Sequence, residues 1–491
     1  MSIDTTKDIL GQILAQVAEH ARDHHEACEQ LPILPAKPVS ASSMAALGLT
    51  GSGIGLEATF QELMSTLVPS LPNSVGPRYF SLVTGGVTPA ALVADWLTTV
   101  YDQNSILATQ NVYSGQTQIE HQACEMFVSL LDLPTTQFRA ILTTGSTASN
   151  IEAVALGRQW LGATKFGIDY SQDGYDGQVV VLTNRAHATV YKAASMLGIG
   201  RKQVHEMMGH LEDEGVLESK LQELARQGKA VMVVLGFGEV NTGIFPRPGA
   251  VQRIAELCRQ HGAFLHIDGA FGAFARCSPS YAELADGLEL ADSITVCGHK
   301  WLNVPYDCGF FIVRRDLERD LERVFSSSAA YLKPVPGVPT HPMNLSIENS
   351  QRMRALAVWA TLRAYGRAGY QKIVEDNCRF AKTMHHWMKV ERPDLWTVLE
   401  EECPLNIVVF QATSPPNKPA AEEEKELEAE ARRQEAVVKA LNDTGVAAFS
   451  GTVWKSRPAI RAAISNWRTN IGKDWEIVRK VLETVGEQFK F

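Results

Sequence analysis

Four short segments of this chain carry side chains able to do chemistry, and each follows a run of apolar residues. One reads SITVCGHKWLNVPYDCG (293–309): Lys300 stands behind an apolar run, with Trp301, Leu302 and Val304 after it. An amine stripped of water in such surroundings is a usable nucleophile, although a lysine at a strand end can also reach solvent along its own stem. FLHIDGAFGAF places Asp268 at the end of a second apolar run. A carboxylate there needs a partner, or else serves as a turn cap. In TNRAHATVYKAA, His187 lies just beyond the run QVVVLTN, a position that suits a hydrogen-bonded structural histidine as well as a catalytic one. The fourth segment, LTTGSTASNIEAVALGR (142–158), sets Gly145, Ser146 and Thr147 between a strand and a helix whose first turn is expected at 148–151. Amide N–H groups and hydroxyls at a helix N-terminus cradle a phosphate; a Ser or Thr cap is written with the same letters.

Elements able to hold these residues can be read from the pattern around them. From about 85 to 315, the β-rich runs QVVVLTN (178–184), AVMVVLGF (230–237), AFLHID (263–268), SITVCG (293–298) and GFFIVRR (309–315) alternate with helical stretches such as ESKLQELARQ and VQRIAELCRQ. Apolar strands interleaved with amphipathic helices predict an α/β fold with a mainly parallel sheet flanked by helices. Ligands of such sheets bind at the carboxyl ends of the strands, which is where the four segments fall. The first 75 residues read as a helical arm, broken by the Pro-, Ser- and Gly-containing stretch from LPILPAKPVSASS to LTGSGIG. After about 370 two strand-like runs, LNIVVFQA and AIRAAISN, frame a charged helix at 421–442 and indicate a small α+β domain. The expected organisation is an arm at 1–75, a large domain at 76–370 and a small domain at 371–491.

Composition narrows the class. A chain of 491 residues, 45% hydrophobic and 21% charged, is that of a globular protein with a large core. A net charge of −9 argues against a nucleic acid as the main partner. No apolar run reaches membrane-spanning length. The N-terminus has no basic region followed by an apolar core; Ile9, Leu10, Ile13, Leu14 and Val17 recur there at helical spacing, so a cytoplasmic location is expected. The eight cysteines show no CxxC or zinc-like spacing, so neither a disulfide framework nor a metal site is expected.

A phosphate cradle, a buried aspartate, a ring-facing histidine and a strand-end lysine together suit pyridoxal 5′-phosphate, which bonds a lysine and wants a carboxylate on its pyridine nitrogen. In order and spacing, TTGSTASN, RAH, HIDGAFG and GHKWLNVPYDCG resemble the group II pyridoxal-phosphate-dependent decarboxylases, the family of aromatic-amino-acid and glutamate decarboxylases. The resemblance extends from GPRYFSLVTGGVTPAALVADWL (76–97) to AIRAAISNWRT (459–469). It implies a fold-type I enzyme with a seven-stranded sheet. Ser146 and Thr147 would hold the phosphate, His187 would stack on the ring, and Asp268 would pair with its nitrogen. Lys300 would carry the cofactor, with His299 beside the phosphate.

The same resemblance matches SSSAAYLKPVPGVPTHP (326–342) to a loop whose tyrosine, here Tyr331, returns a proton to the α-carbon. Arg461 matches a substrate-carboxylate arginine. Tyr79, Phe80, Thr84 and the 105–117 segment match the substrate pocket, and a homodimer with shared active sites is implied. The expected reaction is decarboxylation of an L-amino acid to an amine. Two stretches depart from the family pattern. GFGEVNTG (236–243) puts Glu239 and Val240 where hydroxyls are usual, and Cys297-Gly298 stands where Asp or Asn is common. The first departure keeps other outcomes open: an aldehyde synthase, an aldolase-like or transaminating enzyme, or an inactive homologue.

Overall fold

The computed structural model describes residues 6–35, 39–49, 51–104, 115–207, 209–326, 342–414 and 423–490. The chain divides into two compact units. One comprises Gly85–Lys382 and Glu400–Val408; the other comprises Met1–Thr84, Thr383–Leu399 and Val409–Phe491.

The first unit is built on a seven-stranded sheet. Its strands are β1 (Phe138–Thr143), β2 (Val179–Asn184), β3 (Val204–Glu206), β4 (Ala230–Gly236), β5 (Phe264–Asp268), β6 (Ser293–Cys297) and β7 (Gly309–Arg314). They lie in the order β1-β7-β6-β5-β4-β2-β3. From β3 through β6 every pairing is parallel, whereas β7 runs against both β6 and β1. All six positions of β2 are buried, as are all five of β5 and of β6. Their sequences do not alternate because both faces are covered. On one face Val179, Val181, Met232, Val234 and Phe264 join a core with Val154 and Leu156 of the helix Ser146–Leu161. Each large apolar side chain so buried contributes about 1.5–3 kcal/mol.

The runs read as strands in the sequence become β2, β4, β5, β6 and β7 with ends moved by one residue. β3 lies outside them: at three residues, VHE is too short to carry a period. The helix at 146 begins at Ser146, two residues before its expected start, because Gly145 takes the cap position with a backbone (φ +155°) that frees Ser146 to enter the first turn.

The second unit carries a four-stranded sheet in the order β10-β11-β9-β8. Its strands are β8 (Trp396–Val398), β9 (Ile407–Ala412), β10 (Ser450–Trp454) and β11 (Arg457–Ala463). β8 pairs antiparallel with β9, and β10 with β11. The charged run forms the helix Glu423–Asp443, and the arm contains the helix Thr6–Ala27. A buried pair within this unit, Arg78 Nη1 to Asp474 Oδ1 at 2.7 Å, ties two sequence-distant segments. Removal of either partner alone would strand a charge.

One buried acid makes stability depend on pH. Glu152, on the helix Ser146–Leu161, is 0% exposed. Its Oε1 accepts from Ser346 Oγ at 2.7 Å and from Ile347 N–H at 3.2 Å. Burial pushes its carboxyl up to about 8, against the pull of those two bonds. A carboxyl raised in the folded state contributes fully below the ordinary value of 4.5 and loses that contribution as pH climbs to about 8. Glu152→Gln removes the charge and keeps the shape. It should gain on the parent by about 1–3 kcal/mol as pH rises from roughly 5 to 9. Denaturant melts that stay parallel across that range would refute the assignment.

Candidate active site

Because β7 reverses twice, β1 runs in the same sense as β2, β4, β5 and β6, and the carboxyl ends of all five share one edge of the sheet. At that edge Ser146, Arg185, His187, Glu239, Asp268 and Lys300 line a single cleft.

Lys300 sits in the wide turn Gly298–Leu302 that follows β6. Trp301 and Leu302 are 0% exposed, and Trp301 Nε1–H donates to Asn377 Oδ1 at 2.8 Å. The turn thus anchors its apolar residues in the core, while Lys300 Nζ lies in the cleft, 5.5 Å from the centre of the Phe271 ring. The lysine does not run out along the surface. Gly85 packs against this turn so closely that a Cβ there would lie 1.6 Å from the Lys300 carbonyl oxygen, so only glycine fits.

Gly145 caps the helix Ser146–Leu161 without a side-chain bond. The hydroxyls of Ser146 and Thr147 therefore do not serve as its cap. Ser146 lines the cleft; Thr147, the next residue of the helix, is half-buried. A Cβ on Gly145 would press His299 Cε1 at 3.1 Å, so the glycine keeps the cradle open beside that ring. His299 stacks on Tyr306 with ring centres 4.1 Å apart, and its Nδ1 accepts from Cys308 N–H at 3.4 Å. Burial, aided by the Lys300 cation, lowers its pKa to about 4. The ring is neutral with its proton on Nε2, which faces Cys297 Sγ at 3.0 Å. Burial pushes the Cys297 thiol up, opposed by Lys300 and by hydrogen bonds from Ser146 N–H and Oγ–H. The sulfur that replaces the usual Asp or Asn thus meets the donors of the cradle.

Asp268 ends β5 and is 8% exposed. Its Oδ1 accepts from Ala270 N–H at 3.2 Å and its Oδ2 from Asn150 Nδ2 at 2.8 Å. The first bond is the turn cap foreseen as an alternative, and the carboxylate still faces the cleft. Across it, His187 Nδ1 caps the helix Ala188–Met196 by accepting from Thr189 N–H; Thr189 Oγ1 lies 2.8 Å from the same nitrogen. His187 is therefore both a structural cap and a wall of the cleft.

At the departing turn, Glu239 folds back on its own segment. Oε2 accepts from Asn241 N–H at 2.9 Å and Thr242 Oγ1–H at 2.8 Å, and Oε1 accepts from Asn241 Nδ2 at 3.0 Å. Burial raises its pKa against these bonds. Glu239 and Val240 both line the cleft, so the substitution is felt at the site.

The three expected substrate contacts belong to the second unit. Phe80 N–H donates to Ala448 O, and Phe80 O accepts from Ala463 N–H, so this segment is held beside β11. Arg461 on β11 is 8% exposed, with Nη2 3.4 Å from Ser450 Oγ. Thr84 O accepts from Ser465 Oγ. Tyr331 and residues 105–114 lie outside the described residues. Arg185, Asn150 and Thr189 carry no individual role in the sequence. The signal for Arg185 and Asn150 was present, since both stand inside the quoted motifs RAH and TTGSTASN.

The residues fit pyridoxal phosphate on their own geometry: a helix N-terminus held open by glycine, an amine in the cleft, and a buried carboxylate held by neutral donors. Comparison with known proteins agrees. The pyridoxal-dependent decarboxylase conserved domain matches residues 53–413. An aromatic-L-amino-acid decarboxylase of Bacillus atrophaeus is 26% identical over 412 residues, 82% of this chain and 80% of that protein. Among solved structures, the Oryza sativa TDC with PLP and tryptamine superposes with a TM-score of 0.82 at 21% identity, covering 97% of this chain and 98% of that one. Rhodiola rosea 4-hydroxyphenylacetaldehyde synthase superposes with a TM-score of 0.81 at 18% identity over 100% of both chains. At these identities the two structures speak for the fold alone.

Proposed function

Since the chain belongs to the pyridoxal-dependent decarboxylase family and is a pyridoxal-phosphate-dependent carboxy-lyase of amino acids, we propose that it converts an L-amino acid into the corresponding amine and CO2. The observation that carries this reading is the meeting of Lys300, Asp268 and His187 in one cleft at the carboxyl edge of the sheet. Bound pyridoxal phosphate supplies an electron sink for the pair left at the α-carbon when CO2 departs. Lys300 Nζ is the amine that anchors it. Asp268 would offer the carboxylate that keeps a pyridine nitrogen protonated, His187 would cover the ring, and Ser146, Thr147 and His299 would hold the phosphate. By the resemblance to the family, Arg461, Phe80 and Thr84 are the proposed substrate contacts, and the Arg461 guanidinium suits a carboxylate.

Tyr331 is the residue proposed to return a proton to the α-carbon. The test is a screen of the proteinogenic amino acids that follows CO2 and amine against aldehyde, ammonia and peroxide. Amine and CO2 in equal amounts are expected from the parent. In Tyr331→Phe amine output should fall by about tenfold or more, with aldehyde in its place and cofactor binding unchanged. An unchanged amine yield in that variant removes Tyr331 from the mechanism. Aldehyde from the parent itself would favour the second reading, an aldehyde synthase, which is motivated by Glu239 and Val240 in the cleft wall.

We also propose a homodimer. The helix Pro89–Tyr101 exposes Val93, Trp96, Leu97, Val100 and Tyr101 in the single chain, an apolar strip of the sort that a symmetric contact covers. Light scattering should return twice 53.9 kDa; a monomer mass sinks the proposal.

A further inference from the structure

Behind the cleft runs a chain of buried polar side chains that the proposed reaction does not use directly. Asn150, His266 and Ser293 are all 0% exposed. Asn150 Nδ2 lies 2.8 Å from Asp268 Oδ2 and 2.9 Å from Thr189 Oγ1. Asn150 Oδ1 lies 3.0 Å from His266 Nε2, and His266 Nδ1 lies 2.9 Å from Ser293 Oγ. Thr189 Oγ1 in turn reaches His187 Nδ1 at 2.8 Å.

The direction of each bond follows from what its partners can do. A carboxylate only accepts, so the amide must turn its NH2 towards Asp268. Its oxygen then needs a donor, which His266 Nε2–H supplies, while His266 Nδ1 lies against Ser293, 2.9 Å from its Oγ and 3.1 Å from its carbonyl oxygen. Burial lowers the His266 pKa to about 4, in keeping with a ring that carries one proton. On the other arm Thr189 Oγ1 accepts from the second amide hydrogen and donates its own hydroxyl hydrogen to His187 Nδ1. The Thr189 backbone N–H points at the same nitrogen, 3.4 Å away. His187 Nδ1 is thereby an acceptor twice over, and its ring proton sits on Nε2.

We propose that Asn150 is a positioning residue that couples the two cofactor-facing side chains: one amide, locked by His266 and Ser293, holds the Asp268 carboxyl group in place and fixes the tautomer and orientation of His187. The inference rests on the cofactor reading above and adds a residue to it. No smaller change breaks both arms than Asn150→Asp. The side chain keeps its shape, but acceptors then face Asp268 Oδ2 and the polarity of the chain is lost. Thr189→Val is half as severe: it removes the His187 arm and leaves Asn150 on Asp268.

The test measures three things on the full chain: thermal midpoint, pyridoxal phosphate affinity by titration of the visible absorbance, and kcat with the best amino acid from the screen. Asn150→Asp should raise the cofactor dissociation constant by about tenfold or more and alter the visible spectrum. Thr189→Val should leave that constant within about twofold while lowering kcat by about three- to tenfold. A folded Asn150→Asp protein with the parent's affinity and spectrum overturns the coupling, as does a Thr189→Val protein with the parent's kcat. Should Asn150→Asp not fold, Thr189→Val decides alone, because its arm is half-buried and its shape is kept. A parent protein that gains no visible absorbance with pyridoxal phosphate is a different failure: it removes the cofactor reading itself.

Discussion

Lys300→Ala is expected to fold, to gain no visible absorbance from added pyridoxal phosphate, to carry no borohydride-stable label and to turn over about a thousandfold or more slowly. The side chain can be cut back without loss of the fold because it does not hold the turn on which it stands. Trp301 and Leu302 anchor that turn in the core, and Gly85 N–H donates to His299 O from the other side at 3.4 Å. The Lys300 amine meets the face of Phe271, a contact worth about 0.5–1 kcal/mol at an accessible position. A label that survives in Lys300→Ala would identify another lysine as the anchor, and the account of this cleft would fail with it.

Asp268→Asn should have the next largest effect. Its Oδ1 can still accept from Ala270 N–H, yet its new amide would either confront the NH2 of Asn150 or force it to turn. More important, the negative charge is gone, and with it the group that keeps a ring nitrogen protonated. Loss of a preorganised group aimed at the reacting system costs about 10²–10³-fold in rate. Cofactor attachment should persist, since Lys300 is untouched, so absorbance and activity separate in this variant where they fall together in Lys300→Ala. Turnover within about tenfold of the parent would show that Asp268 is only the turn cap that its bond to Ala270 makes it.

The departing turn GFGEVNTG shows why a substitution can be noticed in a sequence and still not be understood there. Glu239 looks like an intruding charge. In the fold it is self-satisfied, accepting three hydrogen bonds from Asn241 and Thr242, so the turn is closed by its side chain. The neighbouring residue, Val240, also becomes part of the cleft wall. Whether a strand-end residue faces a ligand or its own backbone depends on a few dihedral angles, and these leave no trace in composition or periodicity.

By itself the sequence determined the family, the cofactor and the scaffold. Lys300, Asp268, His187 and the Gly145–Thr147 turn each stand directly behind an apolar run, and in a parallel sheet a strand's end is a place, so four local signals were enough to predict a common edge. The strands themselves were legible because burial on both faces makes them continuous apolar stretches. Tertiary structure alone decided the rest. It decided that Gly145 rather than a hydroxyl caps the cradle helix, that Lys300 and its apolar neighbours part company within one turn, and that Arg461 and Lys300 belong to different compact units. It also decided that Asn150 bonds Asp268 across 118 residues and Thr189 across 39. A hydrogen bond between distant segments is directional and short, and it exists only once packing has brought two atoms within about 3 Å; nothing in the local order of residues records it.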